Sequence, residues 1–215
     1  MELRRVTEPV IIGSATLYNM DCMEFMASQP DNAFDLAIVD PPYGLDASSV
    51  NGSGKLKGRA LNTGDLAWDV TPPPEYFQEL FRVSKNQIIW GGNYFALPPT
   101  RGFVVWDKLQ PWPNFSAAEY AWMSMQVPSK IFKFDNRTGD KIHPTQKPVN
   151  LYEWLLATFG EPGFRILDTH IGSASIAVAT NSLGYELTGC EINPAYFQKS
   201  VDRVRMESRQ ERLFA

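Results

Sequence analysis

An apolar run, Leu36-Ala37-Ile38-Val39, stops at Asp40-Pro41-Pro42-Tyr43, and that junction restricts the fold more than any other stretch. Four consecutive apolar residues bounded by a turn signal read as a buried strand. The prolines fix φ and offer no N–H, so the strand has to end there, at the edge of a sheet. A carboxylate, rigidly framed carbonyl acceptors and an aromatic ring are thereby gathered on one lip. Such a set suits capture of a planar, nitrogen-bearing ring and attack by its exocyclic amino group on an electrophile. A Pro-rich turn with no further purpose explains the same four residues about equally well. The remainder of the chain decides between them.

The 215 residues suffice for one full core. Apolar residues at 44% and charged residues at 20% are ordinary for a globular domain. No apolar stretch approaches the ~20 residues of a membrane span. No signal peptide is expected after Met1-Glu2-Leu3-Arg4-Arg5, and no membrane partner. Cys22 and Cys190 have no metal-ligand spacing and there are two histidines, so no metal site is expected. Buried, reduced thiols suit a cytoplasmic protein. The net charge of −4 runs against a generally basic surface. Local clusters still stand out: Lys55, Lys57 and Arg59, then Lys130, Lys133, Arg137, Lys141 and Lys147. Each serves equally as a solvated loop or a phosphate contact.

Strand and helix signals alternate. Ala15–Tyr18 reads as a strand, and Asp21 with Glu24 three residues on is a capping-box pattern that opens a helix. Residues 44–65 are rich in Gly, Ser and Asn and read as a mobile substrate loop. A helix is expected from Pro74 to Val83, strands at 87–90, 103–106 and 120–125, and an irregular basic stretch over 126–141. After Pro148 the spacing predicts a helix closed by Gly160, then strand Arg165–Asp168, helix Ser173–Leu183, strand Glu186–Cys190 and a last helix from Pro194 to about Ser208. This alternation implies a single α/β domain over 1–215, its sheet mostly parallel.

A second constellation involves Asp168, Gly172 and Glu191. One strand ends in an acid, a small-residue turn (Ile171-Gly172-Ser173-Ala174-Ser175) opens a helix, and the next strand ends in an acid. This layout lets backbone approach a nucleoside while the second acid takes ribose hydroxyls. One glycine stands where a dinucleotide fingerprint has three, which argues against a pyrophosphate and leaves room for S-adenosylmethionine. Plain close packing of helix on sheet is the competing explanation. Ligands of open α/β sheets collect at the carboxyl ends of strands, so Asp40, Asp168 and Glu191 are expected around one crevice.

With Asp40-Pro41-Pro42-Tyr43-Gly44, His143-Pro144-Thr145-Gln146-Lys147-Pro148 and Asp168-Thr169-His170-Ile171-Gly172-Ser173 in this order, the chain resembles the β-class DNA amino-methyltransferases. The resemblance runs from about Leu17 to the final helix. Its compactness and the segment Trp90-Gly91-Gly92-Asn93-Tyr94-Phe95 resemble the phage-type solitary methylases. The resemblance implies a Rossmann-like methyltransferase fold with helices on both faces and permuted motif order. It further implies methyl transfer from S-adenosylmethionine to the N6 of an adenine flipped out of double-stranded DNA, in a bacterial or phage-infected cell. Asp40 and the Pro41 carbonyl would take the two amino hydrogens, Pro42 would hold the frame, and Tyr43 would stack on the base. Asp168, Gly172 and Ser173 would surround the methionine and ribose, and Glu191 would hold the ribose hydroxyls. Thr145, Gln146 and Lys147 would close over the methionine end, and Asp21, next to Cys22, would reach the cofactor's adenine. DNA contacts are expected from Lys55, Lys57, Arg59, Lys108, Lys130, Lys133 and Arg137, with 126–141 as a short recognition segment and a homodimer sharing the work.

The chain departs from the family in two places. Thr169-His170 replaces the usual Pro-Phe, and Ala174-Ser175-Ile176 replaces Gly-Thr-Thr. His170 is expected to take over the packing of the missing aromatic ring. An aspartate at the head of the tetrapeptide favours adenine over N4 of cytosine. Methylation of a protein glutamine fits less well, because that group has Asn at this position. A binding module without turnover is the alternative from another class.

Overall fold

A computed structural model describes residues 8–44, 70–111, 116–135, 142 and 146–214, with side chains to 209. In chain order its elements are β1 (Val10–Ile12), β2 (Ala15–Tyr18), α1 (Cys22–Ala27), β3 (Phe34–Val39), α2 (Pro74–Val83), β4 (Ser84–Trp90), β5 (Phe103–Asp107), β6 (Ala118–Met123), β7 (Lys130–Lys133), α3 (Val149–Phe159), β8 (Arg165–Asp168), α4 (Ser175–Leu183), β9 (Glu186–Cys190) and α5 (Pro194–Phe214). The strands form one sheet in the order β1-β2-β9-β8-β3-β4-β6-β5-β7.

Five adjacent strands, β2, β9, β8, β3 and β4, all run parallel. Their carboxyl ends therefore share one edge of the sheet, and Asp40, Asp168 and Glu191 arrive there together. Beyond β4 the direction reverses: β6 pairs antiparallel with β4 and with β5, and β7 returns parallel to β5. The first residues of β6 and the residue after β5 consequently join the same edge.

Strand periodicity divides the core into two layers. Leu36, Ile38, Ile88, Trp90 and Ile166 face α3, α4 and α5, where Leu151, Leu155, Ile176, Ala177 and Val204 meet them. Their neighbours Ala37, Val39, Ile89 and Leu167 face α1 and α2, against Phe25, Met26, Tyr76 and Leu80. Because the central strands are covered on both sides, their sequences are apolar runs without alternation.

The helix boundaries follow from local chemistry. Asp21 caps α1 by accepting from the N–H groups of Met23 and Glu24. Proline at the first turn opens α2. Gly160 ends α3 at an ordinary negative φ; a Cβ there would lie 2.7 Å from the Leu156 carbonyl oxygen, so close approach explains the glycine. Several elements differ from the sequence expectation: β4 begins at Ser84, three residues early, and β5 runs one residue further, to Asp107. α4 begins at Ser175, because Ile171–Ala174 forms a turn closed by Ala174 N–H to Ile171 O at 2.7 Å. β6 sits two residues early, α5 continues to Phe214, and the stretch read as irregular contains β7. β1, three residues long, left too little pattern to be read.

Gly184 terminates α4 with φ +75 and open space where a Cβ would stand. A Gly184→Ala variant isolates the penalty of the left-handed conformation, roughly 1 kcal/mol. Thermal unfolding is expected to drop by about 2–4 °C; an unchanged midpoint would contradict the assignment.

Candidate active site

The Asp40 carboxylate stands at the end of β3 and both of its oxygens are engaged. Oδ1 accepts from the Tyr43 hydroxyl at 2.5 Å, and Oδ2 accepts from the Lys147 ammonium. Lys147 is 3% exposed and lies over the Trp90 ring, 5.2 Å from its centroid. Burial alone would lower its pKa; the charges of Asp40 and Glu119 outweigh that and raise it. Glu119, at the start of β6, stands 3.2 Å from Lys147 and 2.5 Å from Lys108. Burial pushes the Glu119 carboxyl up, but the two lysines prevail and hold it at about 2. The result is an alternating chain of charge, Asp40–Lys147–Glu119–Lys108, along the lip.

Tyr43 is fixed by the turn after β4. Its ring stacks on Tyr94 with centroids 4.9 Å apart and meets Phe95 edge-on at 6.1 Å. Gly91 has φ +68, and a Cβ on it would fall 2.2 Å from the Tyr43 ring. The Trp90–Phe95 segment thus acts as a clamp on Tyr43, and glycine is required where the clamp closes.

Next to this lip lies a cleft with a cavity volume of about 640 Å³, within the range of small-molecule sites. Asp21, Cys22, Gln146, Lys147, His170, Gly172, Ser173 and Glu191 all line it, together with Asp40, Pro41, Pro42 and Tyr43. Glu191 accepts from Gly172 N–H at 3.1 Å and Asn193 N–H at 2.8 Å. A carboxylate has about four acceptor sites, so capacity is left for a ligand hydroxyl beside the backbone amides that already hold it. Burial raises its pKa against the pull of those amides. The Gly172–Ser175 turn is braced from behind: Arg203 donates to Ser173 O at 2.8 Å and Ser200 to Gly172 O. Ser175 donates to the Lys147 carbonyl at 2.7 Å, which fastens the hexapeptide to this turn. Ala174 takes φ +57 where the resemblance expects glycine; its methyl is wholly buried in the core, which offsets the strain.

Three expected residues behave differently from a simple lining. Asp168 is 2% exposed and sits behind the cleft wall, its carboxylate accepting from His170 N–H at 3.0 Å. Burial, then the charges of Asp40 and Glu191, push its pKa up to about 7. His170 packs edge-on against Tyr76 and pairs with Thr169, whose hydroxyl also meets Tyr76 at 2.6 Å. Burial brings its pKa down to about 4, so it is neutral and fills the place of an aromatic ring. Cys22 is pushed up to about 12 by burial and Asp21, which leaves an unreactive thiol.

Among the expected DNA contacts, Lys108 is in the cleft, paired with Glu119. Lys130 and Lys133 lie exposed on β7, three residues apart, so they point to opposite faces of that strand. Lys55, Lys57, Arg59, Arg137, Thr145 and nearly all of 44–65 lie outside the described residues. Sequence reasoning missed Glu119, Tyr76, Tyr152 and Tyr196, which line the cleft. Glu119 opens an antiparallel strand, so the rule of acids at strand ends passes over it. Among the described residues no cluster of three or more His, Cys, Asp or Glu could hold a metal ion, and no helix is long and apolar enough to cross a membrane.

Asp168 carries a testable pH dependence. Its folded pKa is raised, so the folded state binds more protons than the unfolded chain from about pH 4 to 7, and stability falls as pH rises through that window. Asp168→Asn keeps an acceptor for His170 and removes the buried charge. Its melting temperature should exceed that of wild type by several degrees at pH 8 and converge with it near pH 4; equal melting at pH 8 would contradict the buried charge.

Comparison with known proteins shows where the similarities lie. The model of the N6/N4 family described as DNA methylase matches residues 105–202, which take in the hexapeptide, Asp168 and Glu191 but not Asp40. "Putative methylase YubD" of Escherichia coli (strain K12) is 27% identical over 211 residues, covering 86% of this chain and 87% of that one. Type II methyltransferase M.HinfI of Haemophilus influenzae is 24% identical over 250 residues, covering 88% and 68%. Among solved structures, the M1.HpyAVI–SAM complex superposes with TM-score 0.61 at 19% identity, covering 88% of this chain and 99% of that one. PvuII DNA methyltransferase (cytosine-N4-specific) superposes with TM-score 0.60 at 14%, covering 91% and 92%. The mixed α/β sheet superposes on those of solved DNA methyltransferases, and the second half of the chain is similar to the N6/N4 DNA methylase model.

Proposed function

We propose that this chain is an S-adenosylmethionine-dependent DNA methyltransferase that modifies the exocyclic N6 of a flipped adenine. The observation that carries the reading is the shared sheet edge: an amine-accepting carboxylate, Asp40, opens onto the same cleft as the Gly172 turn and Glu191. The residues present fit the cofactor. Glu191 keeps acceptor capacity for a ribose hydroxyl. Asp40 and Glu191 line the same cleft, and carboxylates there suit a cationic ligand.

S-adenosylmethionine supplies a methyl group on a positively charged sulfur. On the protein side, Asp40 and the Pro41 carbonyl accept the two amino hydrogens of the base. These hydrogen bonds draw the nitrogen toward a tetrahedral shape and localise a lone pair that the ring otherwise delocalises. With the cofactor bound, its methyl would pass to the base nitrogen. The proton released there would be taken up by Asp40, which already accepts one of the amino hydrogens, and passed to water. Pro42 keeps the frame rigid, and the clamped Tyr43 ring offers a face to the flipped base. Orientation and electrostatics do the rest, with no covalent enzyme intermediate.

Aspartate rather than serine at position 40 supports adenine over cytosine. The Trp90–Phe95 segment supports a solitary, phage-type enzyme. Lys108, Lys130 and Lys133, with Lys55, Lys57, Arg59 and Arg137 in 44–65 and 126–141, are the proposed DNA contacts of a single domain acting on cytoplasmic DNA, with a homodimer as the proposed means of sharing recognition.

Incubation with methyl-labelled S-adenosylmethionine and duplex DNA, followed by digestion to nucleosides, is expected to give labelled N6-methyladenine. N4-methylcytosine alone would overturn the base, and no label in DNA would overturn the activity. Asp40→Ala should lose about 10³-fold or more in rate while still binding DNA; a binding module would show no transfer in either protein.

A further inference from the structure

We propose that Glu119 is a positioning residue that sets the charge of the transfer site, so that a cationic methyl donor meets a balanced wall and not two bare ammonium groups. The inference rests on the methyltransferase reading above. Its basis is the placement of β6. Trp90 pairs with Ala121 in the antiparallel register, so Glu119, two residues before Ala121, projects on the same face of the sheet as Trp90. That face is the floor on which the Lys147 ammonium lies. Glu119 reaches Lys147 at 3.2 Å and Lys108 at 2.5 Å, and Lys108 itself lies over the Trp106 ring, 5.3 Å from the centroid. Two cations and two carboxylates therefore balance.

The Oε2 atom of Glu119 is buried and accepts no directed hydrogen bond; its contact with Lys147 is an ion pair. Such an oxygen acts through its charge and not through a fixed geometry. Without it, Lys147 and Lys108 outnumber Asp40 by one. The surplus would repel a sulfonium and would draw Lys147 harder onto the Asp40 oxygen that has to receive the base amine. No other carboxylate pairs with Lys147 or Lys108 among the described residues.

The donor and its product make a charge probe, because S-adenosylmethionine carries a sulfonium and S-adenosylhomocysteine a neutral thioether. Calorimetric affinities of both are measured on the full chain as wild type, Glu119→Gln, Glu119→Asp and Lys108→Met. Glu119→Gln should reduce the preference for the sulfonium about tenfold, the scale of one unit charge in partly screened protein. Glu119→Asp should restore most of it, and Lys108→Met, which removes the opposite charge, should move the preference the other way. Equal weakening of both ligands by Glu119→Gln, or a Lys108→Met shift of the same sign, would overturn the inference and leave the proposed function standing. A wild-type protein that binds neither ligand would overturn both.

Discussion

A lysine ammonium with almost no exposed surface cannot persist without a counter-ion. Lys147 meets that requirement through Asp40, 107 positions earlier in the chain, and much of the site depends on the pairing. Removing one partner of such a buried pair leaves an uncompensated charge, which costs several kcal/mol. The pairing therefore fixes where the hexapeptide can lie. Ser175 then holds the Lys147 carbonyl, so the small-residue turn is fastened to the same point. One electrostatic requirement thus aligns three motifs that are far apart in sequence. The Trp90 ring adds a cation–π contact from below.

The pairing is possible because of how the sheet is wound. Five parallel strands deliver their carboxyl ends to one edge, and the reversal at β6 adds Glu119 and Lys108 from the opposite chain direction. Helices on both faces keep that edge dry below the lip, which strengthens every charge interaction in it. The acids carry the cost of this arrangement: Asp168 is pushed toward neutrality by its own surroundings.

Much of this was legible from residues alone. The run into Asp40 announced a buried strand because covered strands are apolar throughout, and the acid-ended strands at Asp168 and Glu191 announced a shared crevice because parallel strands end together. What stayed hidden depended on register. Glu119 looks like an ordinary strand glutamate until the antiparallel pairing of β4 with β6 places it beside Lys147. Lys108 read as a DNA contact because it lies near the basic stretches in sequence, whereas its ion-pair partner Glu119 comes from another strand. β7 escaped notice since its two apolar residues are flanked by lysines, and it exists only by pairing with β5. Asp168 had the right position for lining a crevice, yet its carboxylate turns back to the His170 amide, a rotamer that no sequence pattern encodes.

The central claim is that Asp40 and Lys147 form a charged, desolvated pair on which the site is built. Nitrogen-15 NMR of the lysine ammonium groups tests it most directly. The Lys147 resonance should titrate above the ordinary lysine value of 10.5 in wild type, and its pKa should fall clearly in Asp40→Asn, where Glu119 alone is left to offset burial. A Lys147 that titrates like free lysine, or that ignores the loss of the Asp40 charge, would contradict the account.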